Sequence, residues 1–528
     1  MKQLHKILTL SIILLVSVSS CKKDALNLTP VNDKTATDVY ATPVGYKNSL
    51  VKLYASFGLT GSGGSGASDI GGLDAGFADF LRLFWMSQEL TTDEAICSWG
   101  DTGIPEMNTS LWSTDNSYLR GLYSRAMYQI TVSNEFLRES TPEKLASRHI
   151  SGADATEIGK YRAEARFLRA FQYWVLMDGF GNPPFVTEEN AIGKVAPKQI
   201  SRADLFNYVE SELKAIETEL PEARSNEYGR ADKGAAWALL ARVYLNAQVY
   251  TGTPKYTEAI TYSSKVINAG YSLSKNYKDL FLTDNHITSK NELILTLNFD
   301  GMRGENWGGT TYLINAAING EMSPASFGVP NGGWSGNRSL SNLPLSFADR
   351  SGNTDKRAMF FGTKLATDEP GVFADGLRVT KFKNISSTGV AAPSVGGSMS
   401  SLDFPLFRLA EQYLIYGEAV ARGGSGGNQA TALTYFNNLR ERAYGNASGN
   451  VGALNVNLFL EERARELYWE GFRRTDLVRY GKFTDGSYLW PFKGGVKAGT
   501  ALAETRNLFP IPTADLIANT NLVQNKGY

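Results

Sequence analysis

Repeated pairs of helices constrain the fold of this chain more than any other feature of its sequence. A predicted helix at about 232–250 carries the spacing W-x2-L-small-x2-Y, formed by Trp237, Leu240, Ala241 and Tyr244. This spacing is typical of the first helix of a tetratricopeptide repeat. A partner helix is predicted at about 255–269, and Ala259 lies where the two helices must approach closely. Hairpins of this kind bury their apolar faces by stacking on one another.

The same pattern continues on both sides of this pair. Further helices are predicted at about 157–180, 202–220, 408–422, 429–443 and 455–480. Ser201 is a suitable N-cap for the helix that begins at 202. Ala432 and Phe436 match the second helix of the repeat. The sequence therefore predicts a mostly α fold, in which tetratricopeptide-like helical hairpins form the scaffold.

The predicted helix at 455–480 carries acidic and basic residues four positions apart. Glu461 precedes Arg465 and Glu470 precedes Arg474, which is the orientation that stabilises an isolated helix. A catalytic set of carboxylates is one interpretation of this segment. A salt-bridged, solvated helix face is the favoured interpretation, because alternating charge normally marks the surface of a helix.

Two segments interrupt the helical pattern. Residues 58–116 hold a Gly/Ser-rich stretch, an apolar helix around 77–89 and a loop, and residues 298–405 are rich in Gly, Asn, Ser and Pro. Irregular segments of this length usually carry function. We therefore predict one unit at 21–528, in which a loop-rich subdomain lies over the helical scaffold. The scaffold is predicted to comprise about 30–57, 117–297 and 406–528.

The first twenty residues have the pattern of a signal peptide. Lys2 and Lys6 precede an apolar run of twelve residues at 7–18, which is too short to span a bilayer. Small residues then precede Cys21, as in a bacterial lipobox, where the cysteine becomes the lipidated first residue of the mature protein. An ordinary signal peptide followed by a chance cysteine is the alternative. We predict a signal peptide at 1–20 and a lipid anchor on Cys21.

Composition argues against several classes of function. The chain has 53 basic and 53 acidic residues, and this neutrality argues against nucleic acid as the main partner. Two cysteines and three histidines weaken the zinc-hydrolase and Ser-His-Asp interpretations. The sequence contains no H-E-x-x-H or G-x-S-x-G motif, and no nucleotide-binding glycine pattern in the required context. Carboxylates are abundant, so a glycosidase pair stays open.

Three tryptophans lie in glycine-containing loops, namely Trp99, Trp307 and Trp334. Neighbouring glycines leave an indole face accessible, and an aromatic plane can take the C–H face of a sugar ring. Asp, Asn and Arg side chains can bind the sugar hydroxyls. Packing within the loop is the alternative for each tryptophan, although exposed aromatic patches tend to mark binding sites. The candidate partners nearby in sequence are Asp101, Tyr312 and Asn337. The tryptophans in helical patterns are assigned to the core: Trp174, Trp237 and Trp469.

Four segments, at 163–170, 461–477, 509–512 and 525–528, add a more specific signal. Together with the lipobox and the helical pairs, they resemble the SusD (RagB/SusD) family of outer-membrane nutrient-uptake lipoproteins. The resemblance implies a glycan-binding protein at the cell surface that sits on a TonB-dependent SusC-like transporter and passes oligosaccharide to it. It implies no enzymatic activity and no cofactor, and it leaves open whether a structural calcium is bound.

Two loops are similar to those of the starch-binding founder of this family. Residues 91–101 resemble the segment that supplies one wall of its aromatic arc, and residues 328–334 resemble the segment that supplies another. The third aromatic of the founder would fall between Trp307 and Tyr312. A curved α-glucan such as starch or maltooligosaccharide suits such an arc, and other neutral glycans stay open.

The resemblance also carries over Arg82 as a cation that binds sugar hydroxyls. Asp101 or Thr102 stands where an asparagine is expected. The predicted glycan-binding residues are therefore Trp99, Asp101, Trp307, Tyr312, Trp334, Asn337 and Arg82. Two alternatives to the glycan-binding lipoprotein remain, a lipid-anchored glycoside hydrolase and a helical-repeat scaffold that binds only protein.

Overall fold

The computed structural model of the protein describes residues 34–193 and 195–528. The predicted signal peptide and Cys21 lie outside these described residues. Helices dominate the described part, which confirms the predicted mostly α fold. The α-helices are α1 Ala36–Val39, α2 Pro43–Gly58, α3 Phe80–Trp85, α4 Ile104–Thr109, α5 Ser117–Glu139, α6 Pro142–Ser147, α7 Gly152–Gly179, α8 Arg202–Ala215, α9 Lys233–Leu245, α10 Ala247–Thr251, α11 Tyr256–Ile267, α12 Asn285–Thr288, α13 Gly309–Asn315, α14 Asn342–Leu345, α15 Leu409–Ala421, α16 Gln429–Tyr444, α17 Val456–Leu467, α18 Arg473–Arg479 and α19 Thr513–Ala518. The strands are β1 Ile96–Cys97, β2 Leu293–Leu297, β3 Asn337–Arg338, β4 Phe360–Phe361, β5 Arg378–Val379 and β6 Phe404–Arg408.

Helix pairs form the scaffold, as the sequence predicts. Helix α9 packs on α11, α11 packs on α15, and α15 packs on α16, so the hairpins stack as in tetratricopeptide repeats. Ala259 and Ala432 are fully buried, in keeping with small residues at closely packed helices. In the described part of the chain, no helix combines the length and the apolarity that are needed to span a membrane.

Local chemistry explains where these helices begin. The Ser201 hydroxyl accepts the backbone N–H of Asp204 at 3.1 Å, which confirms Ser201 as the N-cap of α8. The core prediction for Trp237 in α9 holds only in part, because this residue packs against the core but is only partly buried. Its Nε1–H donates to Glu217 at 2.8 Å, and the Lys265 ammonium lies 5.6 Å from the ring centroid. Trp237 therefore lies at the edge of the core, where it also contacts polar side chains.

The single helix predicted at 455–480 is two helices, α17 and α18, separated by a bend. Trp469 and Gly471 in this bend have φ angles of 63° and 85°, which end the α-helical path. The backbone N–H groups of Gly471 and Phe472 donate to the buried Glu89 carboxylate at 2.7 and 3.3 Å. A distant acceptor thus binds the N–H groups of the two residues that precede α18, and its position cannot be read from the local helical pattern.

The prediction of a solvated charged face on this segment is also wrong. Glu470 is 3% exposed and binds Arg408 and Lys381, each at 2.7 Å, instead of Arg474. Arg474 donates to the backbone carbonyl of Asn507 at 2.8 Å. Glu461 lies on the outer face of the helix, where its side chain is 61% exposed and 3.9 Å from the partly buried Arg465. The inner carboxylates take part in a buried ionic network instead of facing solvent.

Within residues 34–193 and 195–528, three two-stranded antiparallel sheets hold the irregular segments in place. Strand β1 pairs with β3, β2 pairs with β6, and β4 pairs with β5. In the first sheet, Ile96 pairs with Arg338 and Cys97 pairs with Asn337. This sheet joins the loop-rich segment 58–116 to the loop-rich segment 298–405. It is the fold element that positions the candidate site.

Candidate glycan-binding site

The β1–β3 sheet brings Trp99 and Trp334 together. Trp99 follows β1 by two residues, and Trp334 precedes β3 by three. The N–H of Ser98 donates to the carbonyl of Gly336 at 2.9 Å. The indole Nε1–H of Trp99 donates to the backbone carbonyl of Trp334 at 3.0 Å. These bonds fix one tryptophan against the backbone of the other.

Close packing holds the Trp99 indole in its orientation. A Cβ atom added to Gly336 would lie 2.6 Å from the Trp99 ring, so the indole rests directly on the glycine backbone. Behind it, Trp99 meets Tyr312 edge-to-face, with ring centroids 6.0 Å apart and planes at 62°. The buried tyrosine thus supports the indole from inside.

Trp307 completes a surface group of three indoles, which we call the aromatic arc (Trp99, Trp307 and Trp334). The rings of Trp307 and Trp334 have centroids 6.0 Å apart and planes tilted by 53°. Trp307 is 39% exposed, and the other two are partly buried. Beside Trp307, the Asn306 amide donates to the Gly58 carbonyl at 2.7 Å. The tilt between indole planes makes the exposed aromatic surface curved rather than flat.

Arg82 and Asp101 supply charge next to the arc. The Arg82 guanidinium lies 4.3 Å from the Tyr312 ring centroid and 5.7 Å from that of Trp99. One of its terminal nitrogens donates to the carbonyl of Gly76 at 2.7 Å, and its buried Nε–H has no hydrogen-bond partner in the described part of the chain. Arg82 is 8% exposed, whereas Asp101 is exposed two residues after Trp99.

Two predicted contact residues, Tyr312 and Asn337, lie beneath the arc rather than on it. Both are fully buried, and the Tyr312 hydroxyl and the Asn337 side-chain oxygen are 3.1 Å apart. Burial also raises the pKa of Tyr312 well above its usual value. A fully buried side chain cannot touch a sugar at the surface, so these two residues support the site instead of contacting a ligand. Gly336 and Asn306 were not predicted as site residues, because their roles depend on contacts with a distant segment.

Candidate carboxylates for the hydrolase alternative lie away from the arc. Asp93 and Glu94 line part of a cavity of about 290 Å³, together with Arg473 and Tyr488. Asp93 binds Arg473 through both carboxylate oxygens, each at 2.7 Å, and accepts the Tyr488 hydroxyl at 2.6 Å. Glu94 is 2% exposed, and burial together with the nearby Glu89 charge raises its pKa well above its usual value. These hydrogen bonds connect the segment just before β1 to α18, and the cavity is separate from the arc.

Within 34–193 and 195–528, no three His, Cys, Asp or Glu side chains are grouped so that they could hold a metal ion.

Comparison with known proteins covers both halves of the chain. The profile of the SusD family matches residues 292–528. A second profile, described as starch-binding and associating with the outer membrane, matches residues 89–245. The second match contains Trp99 and the β1 strand, and the first contains Trp307, Trp334 and β3.

Individual relatives agree over almost the full length. The chain is 34% identical to the starch-binding protein SusD of Bacteroides thetaiotaomicron, over 97% of this chain and 96% of that protein. A crystal structure of another SusD homologue from that species superposes with a TM-score of 0.74 at 20% identity, covering 94% of this chain and 99% of the other. Surface glycan-binding protein A from Bacteroides fluxus gives a TM-score of 0.67 at 22% identity, covering 92% and 100%. The chain therefore belongs to the SusD family of non-catalytic, outer-membrane-associated surface glycan-binding proteins.

Proposed function

We propose that this chain captures starch-derived maltooligosaccharides on the aromatic arc and delivers them to a SusC-like TonB-dependent transporter. The observation that carries the proposal is the assembly of three partly exposed indoles, from two distant loops, into one curved surface. Sugar rings stack on indole faces through their C–H groups. A helical α-glucan presents successive rings along a curve, and this shape complements the tilt of Trp307 against Trp334.

Charged groups beside the arc complete the proposed site. Asp101 is exposed and can accept sugar hydroxyls. The largely buried Arg82 guanidinium lies against the Trp99 and Tyr312 rings and supports the arc with its charge. Tyr312 and Asn337 act from below by holding Trp99 and β3 in place. The starch-binding activity named for the 34% identical relative favours α-glucan over other neutral glycans.

Affinity electrophoresis tests the ligand directly. The soluble chain lacking residues 1–21 is run in native gels that contain amylopectin, pullulan, laminarin or xylan. We expect slower migration in amylopectin and pullulan, because both present α-linked glucose. The double variant Trp307→Ala/Trp334→Ala is expected to migrate as in an empty gel.

A matched control tests whether the loss of slower migration is specific to the arc or follows the loss of any aromatic pair. Tyr413 and Tyr435 form a stacked, partly exposed pair on α15 and α16, with ring centroids 4.4 Å apart. Tyr435→Ala is expected to keep the slower migration in amylopectin. If laminarin or xylan alone slows the wild type, the starch assignment is wrong. If the double variant is slowed as much as wild type, the arc is not the binding site.

The anchor and the transporter form the second part of the proposal. A lipid on Cys21 would hold the protein at the outer membrane, where a bound oligosaccharide can pass to the transporter. Cys21→Ala is expected to abolish palmitate labelling and to move the protein out of the membrane fraction. The wild type, purified from detergent-solubilised outer membranes, is expected to bring a SusC-like barrel with it. Labelling of the variant, or purification of the wild type without a barrel, would contradict the corresponding part.

A further inference from the structure

One fully buried carboxylate, Asp79, connects the two loops that carry the aromatic arc. Its Oδ1 accepts the backbone N–H of Arg82 at 3.1 Å and the backbone N–H of Gly309 at 3.0 Å. Arg82 lies in α3, and Gly309 is the first residue of α13, two positions after Trp307. A single oxygen atom thus joins the starts of two helices that are 230 positions apart in sequence.

The backbone next to Trp307 packs directly on this carboxylate. A Cβ atom added to Gly308 would overlap the second oxygen, Oδ2, of Asp79. Oδ2 is buried and has no hydrogen-bond partner among the described residues, so Oδ1 makes both of the bonds described here. Gly308 also donates its N–H to the Asn306 side chain at 2.8 Å. Trp307 is therefore held through the backbone on both sides.

Two guanidinium groups compensate the buried charge of Asp79. Burial raises the pKa of Asp79, and the charges of Arg82 and Arg125 oppose this rise. Arg125 is itself fully buried and donates to the carbonyls of Ala78 and Thr60 at 2.7 and 2.8 Å. The carboxylate is consequently part of a fixed arrangement that extends into the Gly/Ser-rich segment.

Preorganisation gives this arrangement a role in binding. Trp307 is 39% exposed, and its ring meets Trp334 at 6.0 Å. An exposed side chain on a loop loses conformational freedom when it binds a ligand, and this loss weakens affinity unless the loop is already ordered. A bond that orders the loop before binding therefore strengthens binding without touching the ligand.

We propose that Asp79 is the positioning residue of the aromatic arc, which fixes the Trp307 loop relative to Arg82 before glycan binds. This inference rests on the proposed glycan-binding function and extends it to a residue that does not contact the ligand.

Two substitutions distinguish the hydrogen bond from the Gly309 N–H to Asp79, which we call the cross-loop bond, from the capping of α3 by the same side chain. In Asp79→Ser, the hydroxyl still caps α3 at the Arg82 N–H, because serine is as good an N-cap as aspartate. The shorter side chain does not reach the N–H of Gly309, so the bond to the Trp307 loop is lost. In Asp79→Asn, the side-chain oxygen accepts both N–H groups, so the cross-loop bond is restored without the charge.

Two measurements follow the loop and the affinity independently. The chain lacking residues 1–21 is labelled with 5-fluorotryptophan, and the Trp307 signal is assigned from its loss in Trp307→Phe. In the absence of glycan, we expect one sharp 19F signal for Trp307 in wild type and in Asp79→Asn. We expect a shifted or broadened signal in Asp79→Ser. Isothermal titration with maltoheptaose is expected to show about tenfold weaker binding for Asp79→Ser and less than threefold for Asp79→Asn.

The 19F signals test the positioning role of Asp79 even if the proposed ligand is wrong, because they are recorded without glycan. If the Trp307 signal of Asp79→Ser matches wild type, Asp79 does not position the loop. If Asp79→Asn is as perturbed as Asp79→Ser, the charge and not the cross-loop hydrogen bond matters, and the proposal is wrong. If the signals behave as expected but no variant binds maltoheptaose, the positioning role stands and the proposed ligand fails. Thermal melting of each variant reports whether α3 is still capped.

Discussion

At the scale of single residues, the three indoles of the arc are held in different ways. Trp99 rests on Gly336 and Tyr312, and its Nε1–H is bound by the backbone of Trp334. Trp307 is instead anchored through the residues on either side of it. Its side chain can therefore be removed with little disturbance of the packing below, which makes it the cleanest residue for a binding test.

Trp307→Ala is expected to weaken maltoheptaose binding by roughly tenfold to a hundredfold. Stacking and area burial by one indole are worth on the order of 1–3 kcal/mol, which corresponds to that range of dissociation constants. The melting temperature is expected to change little, because Trp307 is the most exposed indole of the arc. Isothermal titration and thermal melting measure the two quantities on the same sample.

Trp174→Ala is the control for core damage. Trp174 is 2% exposed in α7, and its Nε1–H donates to the Tyr250 hydroxyl at 3.2 Å. Its removal is expected to destabilise the fold by roughly 3–5 kcal/mol and to affect binding only through unfolding. Trp307 would be a packing residue if Trp307→Ala melted as early as Trp174→Ala while the folded protein bound glycan normally.

Gly336→Ala is expected to disturb the arc without removing an aromatic ring. The added methyl group would lie 2.6 Å from the Trp99 indole, which must move aside. We expect binding to weaken by several-fold and stability to fall by about 1–3 kcal/mol, as for other overpacked sites. Gly100→Ala, in the loop that carries Trp99, is the matched control, because a Cβ there meets none of the described atoms within 4 Å. Equal affinities for the two variants would show that the Trp99 orientation is unimportant.

The composition of the site was only partly predictable from sequence. Glycine-flanked tryptophans indicated the three indoles, and the structure brings them together. Tyr312 and Asn337 were also chosen for their proximity in sequence, but burial separates them from the surface. Their position depends on the pairing of β1 with β3, two strands of two residues each, and such short strands leave no alternating pattern in sequence.

At the scale of elements, the helices were predictable where their own residues define them. The N-cap Ser201 and the small residues of the hairpins are local signals, and these predictions hold. The bend between α17 and α18 was missed because Glu89, which binds its N–H groups, lies about 380 positions away in sequence. A long-range hydrogen bond overrides the local helical preference at this point.

Glu89, whose carboxyl group accepts the N–H groups of this bend, is expected to make the free energy of unfolding depend on pH. Burial raises the pKa of Glu89 to about 7. Between the unfolded value of about 4.5 and 7, the folded state keeps a proton that the unfolded chain releases. The free energy of unfolding is therefore expected to rise as pH falls from 8 to 5. Glu89→Gln, which retains the acceptor oxygen, is expected to reduce this rise by about 1–3 kcal/mol, measured by urea unfolding.

Glu461→Gln provides the comparison for Glu89→Gln. Its side chain is 61% exposed, and its ion pair with Arg465 is 3.9 Å long. Exposed ion pairs contribute about 0–1 kcal/mol, so this variant is expected to follow the wild-type pH profile. The assignment to Glu89 would be wrong if both variants shifted the profile equally.

At the scale of the whole molecule, a buried ionic network joins the loop-rich part to the last helical pair. Arg408, at the end of β6, binds Glu466 at 2.6 Å and Glu470 at 2.7 Å. Arg357, from the loop-rich segment, binds Glu462 at 2.7 Å and Glu466 at 3.1 Å. All of these side chains are nearly or fully buried. The network therefore sets how the loop-rich segment sits on the scaffold, and with it the position of β3 and the arc.

Protonation of this network is expected to limit stability in acid. The neighbouring arginines, led by Arg442, outweigh the effect of burial and lower the pKa of Glu466 to about 2. A carboxyl group with a lowered pKa stabilises the fold fully above its unfolded value of about 4.5 and loses this contribution as pH falls towards 2. Glu89 and Glu466 are thus expected to have opposite effects: Glu89 stabilises the fold as pH falls from 7 to 4.5, and Glu466 loses its stabilising effect as pH falls below 4.5.

Glu466→Gln tests this loss of stability in acid. Removing one partner of a buried ion pair leaves arginine charges uncompensated, so a loss of roughly 3–5 kcal/mol is expected at pH 7. The difference from wild type should shrink below about pH 4.5, because the unfolded wild-type carboxyl takes up a proton there while the folded one, with its pKa of about 2, stays ionised. Urea unfolding at pH 7, 5 and 3.5 measures the difference, and circular dichroism checks that each variant starts folded. A difference that stayed constant from pH 7 to 3.5 would mean that Glu466 is not the titrating group. The loss of stability in acid would then be caused by another carboxylate of the network.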